Sequence, residues 1–376
     1  MTVDHGRLAK RAGSYRTFAE SIVDEAMAAP PFADRVEVRQ IESSLPAEID
    51  FAICVPAKDE ERFLPGSLAS LTASVHRSGA RGAIVMLINN STDGSWQMAR
   101  NILDASDCGY LIANVSLHSD IADAPHARRM ALDIGALLAA DGALLTTDAD
   151  TLVAGDWAAA NLRHMLGNAD LVCGSVSIEP QEYAALPEPI RYCGEVEAAY
   201  SARLERLWQR WTDGTAPSFL IPAMGASLAL PTARYREISG IPIPAVAEDK
   251  ALASLARRRG WSIKMAGDVT VETSGRLFAR AAGGMGDALR ARATDEDPYC
   301  DEQLVPIGLL QRLADVWNRL PDSSERSARL QDAIARQLAL QHRRMRLSQV
   351  LAQLTFSTDD GAADHPRQHC LLRVEA

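Results

Sequence analysis

The 376-residue sequence predicts an α/β protein with a Rossmann-like, mostly parallel sheet flanked by helices and followed by a helical C-terminal extension. Short apolar runs at 51–55, 83–88, 110–115 and 143–145 alternate with segments of helical periodicity. Each run ends at polar residues and the connections are short, which is typical of parallel strands joined by right-handed crossovers. After Pro298 the apolar periodicity is helical only, which predicts the extension.

The elements follow from these patterns in chain order. The strand at 51–55 precedes a helix in which Leu64, Leu68, Leu71 and Val75 recur at helical spacing. The next two strands each precede a helix, at 96–103 and 125–140. Beyond the fourth strand we expect strands at 171–176, 225–230, 261–265 and 269–272, helices at 190–211 and 247–259, and C-terminal helices at 304–320 and 324–354. Residues 1–48 form an N-terminal extension and residues 291–376 a C-terminal one.

Charge and cysteine usage exclude several classes of protein. The formal net charge is −10, which argues against a nucleic-acid-binding surface because a duplex is itself densely negative. The six cysteines are scattered without metal-type spacing, which predicts reduced thiols in a cytoplasmic protein. Prolines interrupt the one long uncharged stretch, residues 214–233, so we predict no transmembrane segment. Peripheral contact with a membrane stays open.

Two carboxylates follow the strand at 143–145, in the sequence Thr146-Thr147-Asp148-Ala149-Asp150-Thr151. Side chains two apart on an extended chain point the same way, so Asp148 and Asp150 are expected to face one pocket. Like charges held close favour a cation between them, and oxygen ligands suit Mg²⁺ or Mn²⁺. The pair therefore predicts a metal site for a phosphorylated ligand. The alternative is a solvated loop after a strand.

The order of several short motifs resembles that of family 2 glycosyltransferases. The resemblance covers roughly residues 51–286 and depends on the sequence of signals, because each is weak alone. The motifs are Val55-Pro56-Ala57-x-x-Glu60-Glu61, Asn90-Ser91-Thr92-Asp93-Gly94-Ser95, Ala127-Arg128, Asp148-Ala149-Asp150, Gly225, Glu248-Asp249 and Ser274-x-Arg276.

The resemblance implies a GT-A fold over residues 49–290, with a nucleotide-binding half at 49–151 and an acceptor-binding half at 152–290. It implies a UDP- or GDP-linked sugar donor, bound Mn²⁺ or Mg²⁺, and an acceptor hydroxyl of unknown identity. Pro56, Ala57 and Glu60 would line the base and ribose, with Asn89 or Asn90 beside the base and Arg128 near it.

Further roles carried over from the family concern the acidic residues and the diphosphate. Asp148 would face the ribose or a metal-bound water, and Asp150 would bind the metal. Asp249 would be the general base that removes the acceptor proton; its alternative is helix capping. Ser274 and Arg276 would reach the diphosphate, and the alternative for Arg276 is a surface ion pair.

The sequence departs from the family pattern in ways that narrow the function. The second-strand turn, Ile88-Asn89-Asn90, lacks an acidic residue, which leaves a uracil-specific contact open, and residues 273–276 contain no histidine as a further metal ligand. The Gln-x-x-Arg-Trp motif of polymer synthases is missing, which favours transfer of a single sugar. Two other functions stay open: a sugar-phosphate nucleotidyltransferase and a catalytically silent glycosyltransferase-like binding module.

Overall fold

The computed structural model describes residues 17–221, 223–244, 247–277, 285–321, 325–340 and 344–355. Its helices are α1 Phe18–Ala28, α2 Leu64–Ser78, α3 Ser95–Asp104, α4 Ala124–Leu138, α5 Trp157–Leu166, α6 Pro180–Ala185, α7 Glu188–Trp211, α8 Thr232–Glu237, α9 Glu248–Arg258, α10 Met285–Thr294, α11 Ile307–Arg319, α12 Arg326–Leu340 and α13 Leu347–Thr355. Its strands are β1 Val36–Ser44, β2 Phe51–Ala57, β3 Gly82–Asn89, β4 Gly109–Leu117, β5 Ala143–Thr146, β6 Thr151–Val153, β7 Leu171–Ile178, β8 Leu228–Pro231 and β9 Ile263–Thr273.

The chain divides into two compact units, and each is discontinuous in sequence. The first contains residues from 1–179, 222–256 and 261–274, and the second contains residues from 180–221, 257–260 and 275–376. The first unit holds the sheet and the second is helical. The predicted fold class, helices around a mostly parallel sheet with a helical C-terminal region, is confirmed.

The sheet of the first unit has the strand order β1-β4-β3-β2-β5-β8-β7-β9-β6. Strands β4, β3, β2 and β5 are parallel neighbours, as are β7 and β9. The remaining pairs are antiparallel. The apolar runs of β2 and β3 are buried almost completely because α2 and α3 cover one face of the sheet and α4 covers the other.

The second unit is built around the long helix α7. Its buried face includes Tyr200, Leu204 and Trp208, which pack in one apolar cluster with residues of α11, such as Leu310 and Trp317. Trp208 is fully buried and donates its indole N–H to the carbonyl of Pro217 at 2.9 Å. Trp208 is therefore a core residue, and Trp211 packs against the same cluster.

Several element boundaries differ from the sequence prediction for local reasons. Strand β1 was not predicted because it is an exposed edge strand with few apolar residues. The strands predicted at 261–265 and 269–272 are one strand, β9, whose pairing with β7 shifts register between Gly174 and Ser175. The helix predicted at 324–354 is two helices, α12 and α13. Residues 324 and 341–343 lie outside the described residues.

Candidate active site

Three neighbouring parallel strands end at the same edge of the sheet, and the predicted nucleotide-binding residues follow them. In the register of the sheet, Ala57 of β2 lies beside Ile88 of β3, and Cys54 lies beside Thr146 of β5. The carboxyl edge of a parallel sheet is where α/β proteins bind ligands. Pro56, Glu60, Asn89 and Asp148 all lie at or just beyond this edge, within the first unit.

Two loops at this edge, residues 58–61 and 90–95, are fastened to each other by reciprocal hydrogen bonds. Backbone N–H groups of Asp59, Glu60 and Glu61 donate to the side chains of Ser91, Ser95 and Asp93 at 2.8–3.0 Å. In return, the N–H groups of Thr92 and Gly94 donate to the carboxylates of Asp59 and Glu61 at 2.7 and 2.9 Å. These hydrogen bonds between the two loops fix the backbone around Glu60, which is only 6% exposed.

Asn89 and Asn90 both lie at the carboxyl end of β3 but have different surroundings. Asn89 ends β3 and is 3% exposed. Asn90 adopts a left-handed conformation with φ of 50°, and its amide group donates to the carbonyl of Leu117 and accepts from its N–H at 2.9 and 3.0 Å. Asn90 thus extends the pairing of β3 with β4. The contact of either asparagine with a base stays a prediction.

Arg128 lies at the centre of a buried polar group that we call the Arg128 cluster: Arg128, Thr146, Asp148, Gly225 and Glu248. The guanidinium donates to Asp148 at 2.6 Å and to Glu248 at 2.8 Å. It also donates to the hydroxyl of Thr146 and the carbonyl of Gly225, both at 3.0 Å. Arg128 is 5% exposed, so each of these acceptors replaces lost water.

The charge of Arg128 is stabilised by its two carboxylates. Burial lowers the pKa of the guanidinium, but Asp148 and Glu248 more than offset that effect, and the net pKa is raised. A planar guanidinium can bridge several acceptors at fixed angles, which a lysine cannot do. Because Arg128 comes from α4, Asp148 from the end of β5 and Glu248 from α9, the cluster ties three elements of the first unit together.

Gly225 leaves room for the guanidinium. A Cβ atom at this position would lie 2.5 Å from Nη2 of Arg128, which is closer than real contacts of this kind. Gly225 and Glu248 appear in the family pattern, but the pattern alone gives neither residue a role in the site. A buried arginine requires carboxylate partners, and that requirement is the one signal that could have assigned Glu248 to the site.

The acidic stretch adopts a turn rather than an extended chain. The N–H of Thr151 donates to the carbonyl of Asp148 at 3.2 Å, and the chain then enters β6. The expectation that extended geometry aligns the two carboxylates is therefore wrong. Ala149 is buried in the apolar core between the half-buried Asp148 and Asp150, so the turn is anchored to the sheet.

The donor set of this turn fits a hard divalent cation. Arg128 contacts Oδ1 of Asp148, and the Asp148 side chain is still 35% exposed, which leaves oxygen lone pairs for another partner. No third His, Cys, Asp or Glu joins Asp148 and Asp150 in a metal-type group among the described residues. Mg²⁺ in phosphate-handling sites is typically held by one or two carboxylates plus substrate phosphates and water.

Asp249 lies in the first turn of α9, next to Glu248 of the Arg128 cluster. Its Oδ2 accepts from the N–H of Gly225 at 2.9 Å, and its Oδ1 accepts from the N–H of Lys250 at 2.7 Å. The pKa of Asp249 is raised, first by burial and then by the adjacent charge of Glu248, while the two N–H groups and Arg128 oppose the rise. A carboxylate with a raised pKa is a stronger base than an ordinary aspartate.

The Asp249 carboxylate is connected to the acidic turn through shared partners. Gly225 donates its N–H to Asp249 and accepts from Arg128 through its carbonyl, and Arg128 contacts Asp148. The Lys250 contact agrees with the capping alternative, but the Gly225 contact reaches outside the helix. Asp148 and Asp249 therefore share one polar network inside the first unit.

The predicted diphosphate contacts, Ser274 and Arg276, fall in different units. Thr151 and Thr273 are paired residues of β6 and β9, and their hydroxyls lie 3.0 Å apart. This pairing is antiparallel. Ser274, which follows Thr273, therefore lies at the same end of the strand pair as Asp150, which precedes Thr151. Ser274 is 8% exposed. Arg276 is half-buried in the second unit.

The fold and the site define an α/β protein with an acidic turn at the carboxyl edge of a parallel sheet. Residues 52–221 match the family model described as Glycosyl transferase family 2. This match agrees with the motif order, which resembles that of glycosyltransferase family 2 over the same part of the chain. No curated protein matches the chain.

Several solved structures are similar at low identity. S. aureus TarS (residues 1–349) in complex with UDP-GlcNAc is 15% identical, with a TM-score of 0.44 over 63% of this chain and 61% of that one. A mannosyltransferase from Pyrobaculum calidifontis in complex with GDP-Man and Mn²⁺ is 15% identical, with a TM-score of 0.45 over 88% and 84%. Glucosyl-3-phosphoglycerate synthase from Mycobacterium tuberculosis with Mg²⁺ and UDP is 17% identical, with a TM-score of 0.39 over 72% and 82%.

This chain spans about three fifths of the length of the TarS fragment that it matches. Among the described residues, no helix has both the length and the apolar character that crossing a membrane requires.

Proposed function

We propose that this chain transfers one sugar from a nucleotide-sugar donor to an acceptor hydroxyl, with inversion at the anomeric carbon and with Mn²⁺ or Mg²⁺ bound. The observation that carries the proposal is the network in which Asp249, with its raised pKa, is joined through Gly225 and Arg128 to Asp148. A base and an acidic cation-binding turn are the two parts that such a displacement needs.

The chain's own residues have distinct parts in the proposed reaction. Asp249 accepts the proton of the acceptor hydroxyl while the acceptor oxygen bonds to the anomeric carbon. The bond from that carbon to the diphosphate breaks, and its electron pair leaves on the nucleoside diphosphate. A single displacement inverts the anomeric configuration.

Asp150 and the exposed side of Asp148 would hold the cation, which when bound neutralises charge that develops on the leaving diphosphate. Arg128 acts as a positioning residue, because four protein acceptors already take its hydrogen bonds. By these contacts it sets the orientation of Asp148 and of the segment at Gly225, which in turn donates to Asp249.

The fastened loops at 58–61 and 90–95 support donor binding. The reciprocal bonds hold the chain around Glu60 and Asn89 in one conformation before a ligand arrives, so less conformational entropy is lost on binding. Among the similar solved structures are complexes with UDP-GlcNAc, UDP and GDP-Man. UDP- and GDP-linked sugars are therefore the donors to test first.

The test measures binding and turnover separately in the full-length chain. Donor hydrolysis is followed with UDP- and GDP-linked sugars in the presence of Mn²⁺ or Mg²⁺, and donor affinity is measured by calorimetry. Asp249→Asn should keep donor affinity and lose turnover by roughly 10²–10⁴-fold, because it removes the base. Asp150→Ala should lose the metal-dependent part of donor binding.

Asp268→Asn is the matched control, because Asp268 is an exposed carboxylate of the same unit. Asp268→Asn should change neither donor affinity nor turnover. Equal loss of donor binding in Asp249→Asn and Asp150→Ala would contradict the division of roles. Release of pyrophosphate from a nucleoside triphosphate would indicate a nucleotidyltransferase, and donor binding without any turnover would indicate a silent binding module.

A further inference from the structure

The second unit contains a cluster of two cysteines and a glutamate that the proposed transfer reaction does not use. Cys193 and Glu197 are one helical turn apart on α7, and Cys300 comes from the segment that precedes α11. One ligand atom from each residue lies within 4.8 Å of the others, and Sγ of Cys193 is 3.9 Å from Oε1 of Glu197. Both cysteines are almost fully buried, at 1% and 0% exposure.

We propose that Cys193, Cys300 and Glu197 form a binding site for a thiophilic divalent cation, with Zn²⁺ as the probe. Zinc prefers sulfur, nitrogen and carboxylate oxygen ligands in tetrahedral geometry, with Zn–S near 2.3 Å and Zn–O near 2.0–2.2 Å. A tetrahedron of that size separates its sulfur ligands by about 3.8 Å. The observed separations therefore require the ligand atoms to move inward by no more than about 1 Å.

The backbone and carboxylate of this site are already held by neighbouring groups. Arg292 donates to both oxygens of Glu197 at 2.7 and 2.8 Å, and the N–H of Asp301 donates to Oε1 at 2.9 Å. The N–H of Cys300 donates to the carbonyl of Met345 at 2.9 Å. Groups that donate to a ligating carboxylate are the usual outer partners of metal ligands, because they fix its orientation.

The charge of the cluster is the same with and without the cation. Glu197 and Arg292 neutralise each other, and the two thiols are neutral when protonated. Binding of Zn²⁺ releases two protons and leaves two thiolates, so the site stays neutral in its buried surroundings. The fourth ligand is a water molecule, as in other three-ligand zinc sites.

The alternative fate of two adjacent thiols is a disulfide, which requires an oxidant and excludes the cation. The cations of the transfer reaction, Mn²⁺ and Mg²⁺, prefer oxygen ligands, so the two sites differ in chemistry. The proposal therefore does not depend on the proposed transfer reaction.

The test uses the full-length chain purified with reductant and without chelator. Zinc content is measured by mass spectrometry, and we expect about one ion per chain. Cys193→Ser and Cys300→Ser should each lower the content at least about tenfold, since each removes a thiolate ligand. Cys108→Ser, a buried cysteine of the first unit, and Glu195→Gln, an exposed carboxylate of α7, should retain the ion.

A second measurement needs no variant and covers the case in which a variant fails to fold. Titration of the metal-free wild-type chain with Co²⁺ should produce thiolate-to-cobalt charge-transfer absorption, which Zn²⁺ should abolish in a stoichiometric manner. Bound zinc should also protect two thiols from a thiol reagent. Less than about a tenth of an ion per chain together with no cobalt–thiolate absorption would overturn the proposal, as would zinc retained in the Cys193→Ser/Cys300→Ser variant.

Discussion

Replacing Arg128 by methionine tests whether the Arg128 cluster holds the first unit together. The substitution keeps the approximate length of the side chain but removes the charge and four hydrogen bonds. The Glu248 side chain is 10% exposed and loses its cationic partner, whereas Asp148 at 35% exposure regains water. Breaking a buried ion pair costs about 3–5 kcal/mol. Because one of the two acids is partly solvated, we expect the lower end, about 3 kcal/mol.

A loss of this size corresponds to a change of roughly 100- to 200-fold in the unfolding equilibrium. It is measured as the shift of the urea midpoint by circular dichroism, with the slope of the transition checked against the wild type. Arg163→Met is the matched control, because Arg163 is 58% exposed and its pair with Asp268 is long at 3.3 Å. Arg163→Met should lower the free energy of unfolding by no more than about 1 kcal/mol.

The double variant Arg128→Met/Glu248→Met separates charge from packing. Removing the orphaned carboxylate should recover part of the stability lost in the single variant, since apolar replacement of a buried pair is often close to neutral. If Arg128→Met alone costs less than about 1 kcal/mol, or the second substitution lowers stability further, the stabilising role assigned to the buried pair is incorrect.

Three further predictions concern the same site. Gly225→Ala places a Cβ atom 2.5 Å from Arg128 and should destabilise the protein by about 1–3 kcal/mol through lost hydrogen bonds, whereas Gly267→Ala, with nothing within 4 Å, should change the urea midpoint little. Burial and the charge of Glu248 raise the pKa of Asp249, and the base works only when it is ionised, so kcat/KM should fall on the acid side of the pH profile. Glu248→Gln should move this acid limb of the profile to lower pH. An acid limb that does not move would exclude Asp249 as the titrating group. A raised folded-state pKa means that protonated Asp249 favours folding below its unfolded pKa and that this benefit is lost as pH rises through the folded pKa. Asp249→Asn should therefore raise the Tm relative to wild type at neutral pH and not at acidic pH, and a Tm gain independent of pH would contradict this.

The buried strands and the order of the site motifs could be predicted from the sequence, because each depends on residues close together in the chain. Strands β2 and β3 are apolar runs without interruption, and their polar ends mark the carboxyl edge of the sheet. Strand β1 could not be predicted, because half-exposed edge strands have weak apolar patterns.

The contacts within the site depend on residues far apart in sequence. Arg128 and Glu248 are 120 positions apart, and no local pattern indicates that they pair. Cys193 and Cys300 are also far apart in the sequence, and the spacing of the cysteines predicts no metal site that would bring them together. The sequence at 148–150 predicts an extended chain where the structure has a turn, because two acids on either side of an alanine are compatible with either conformation.

The discontinuity of the first unit has a consequence for the nascent chain on the ribosome. The segment that matches the family ends at residue 221, but β8, α9 and β9 come later. Until residues 228–231 have been synthesised, β5 has a neighbour on one side only, and until residue 248 has emerged Arg128 lacks one of its two carboxylates. A fragment cut at residue 221 would expose a sheet edge and leave a buried cation half-neutralised, so fragments meant to fold should extend at least to Ser274.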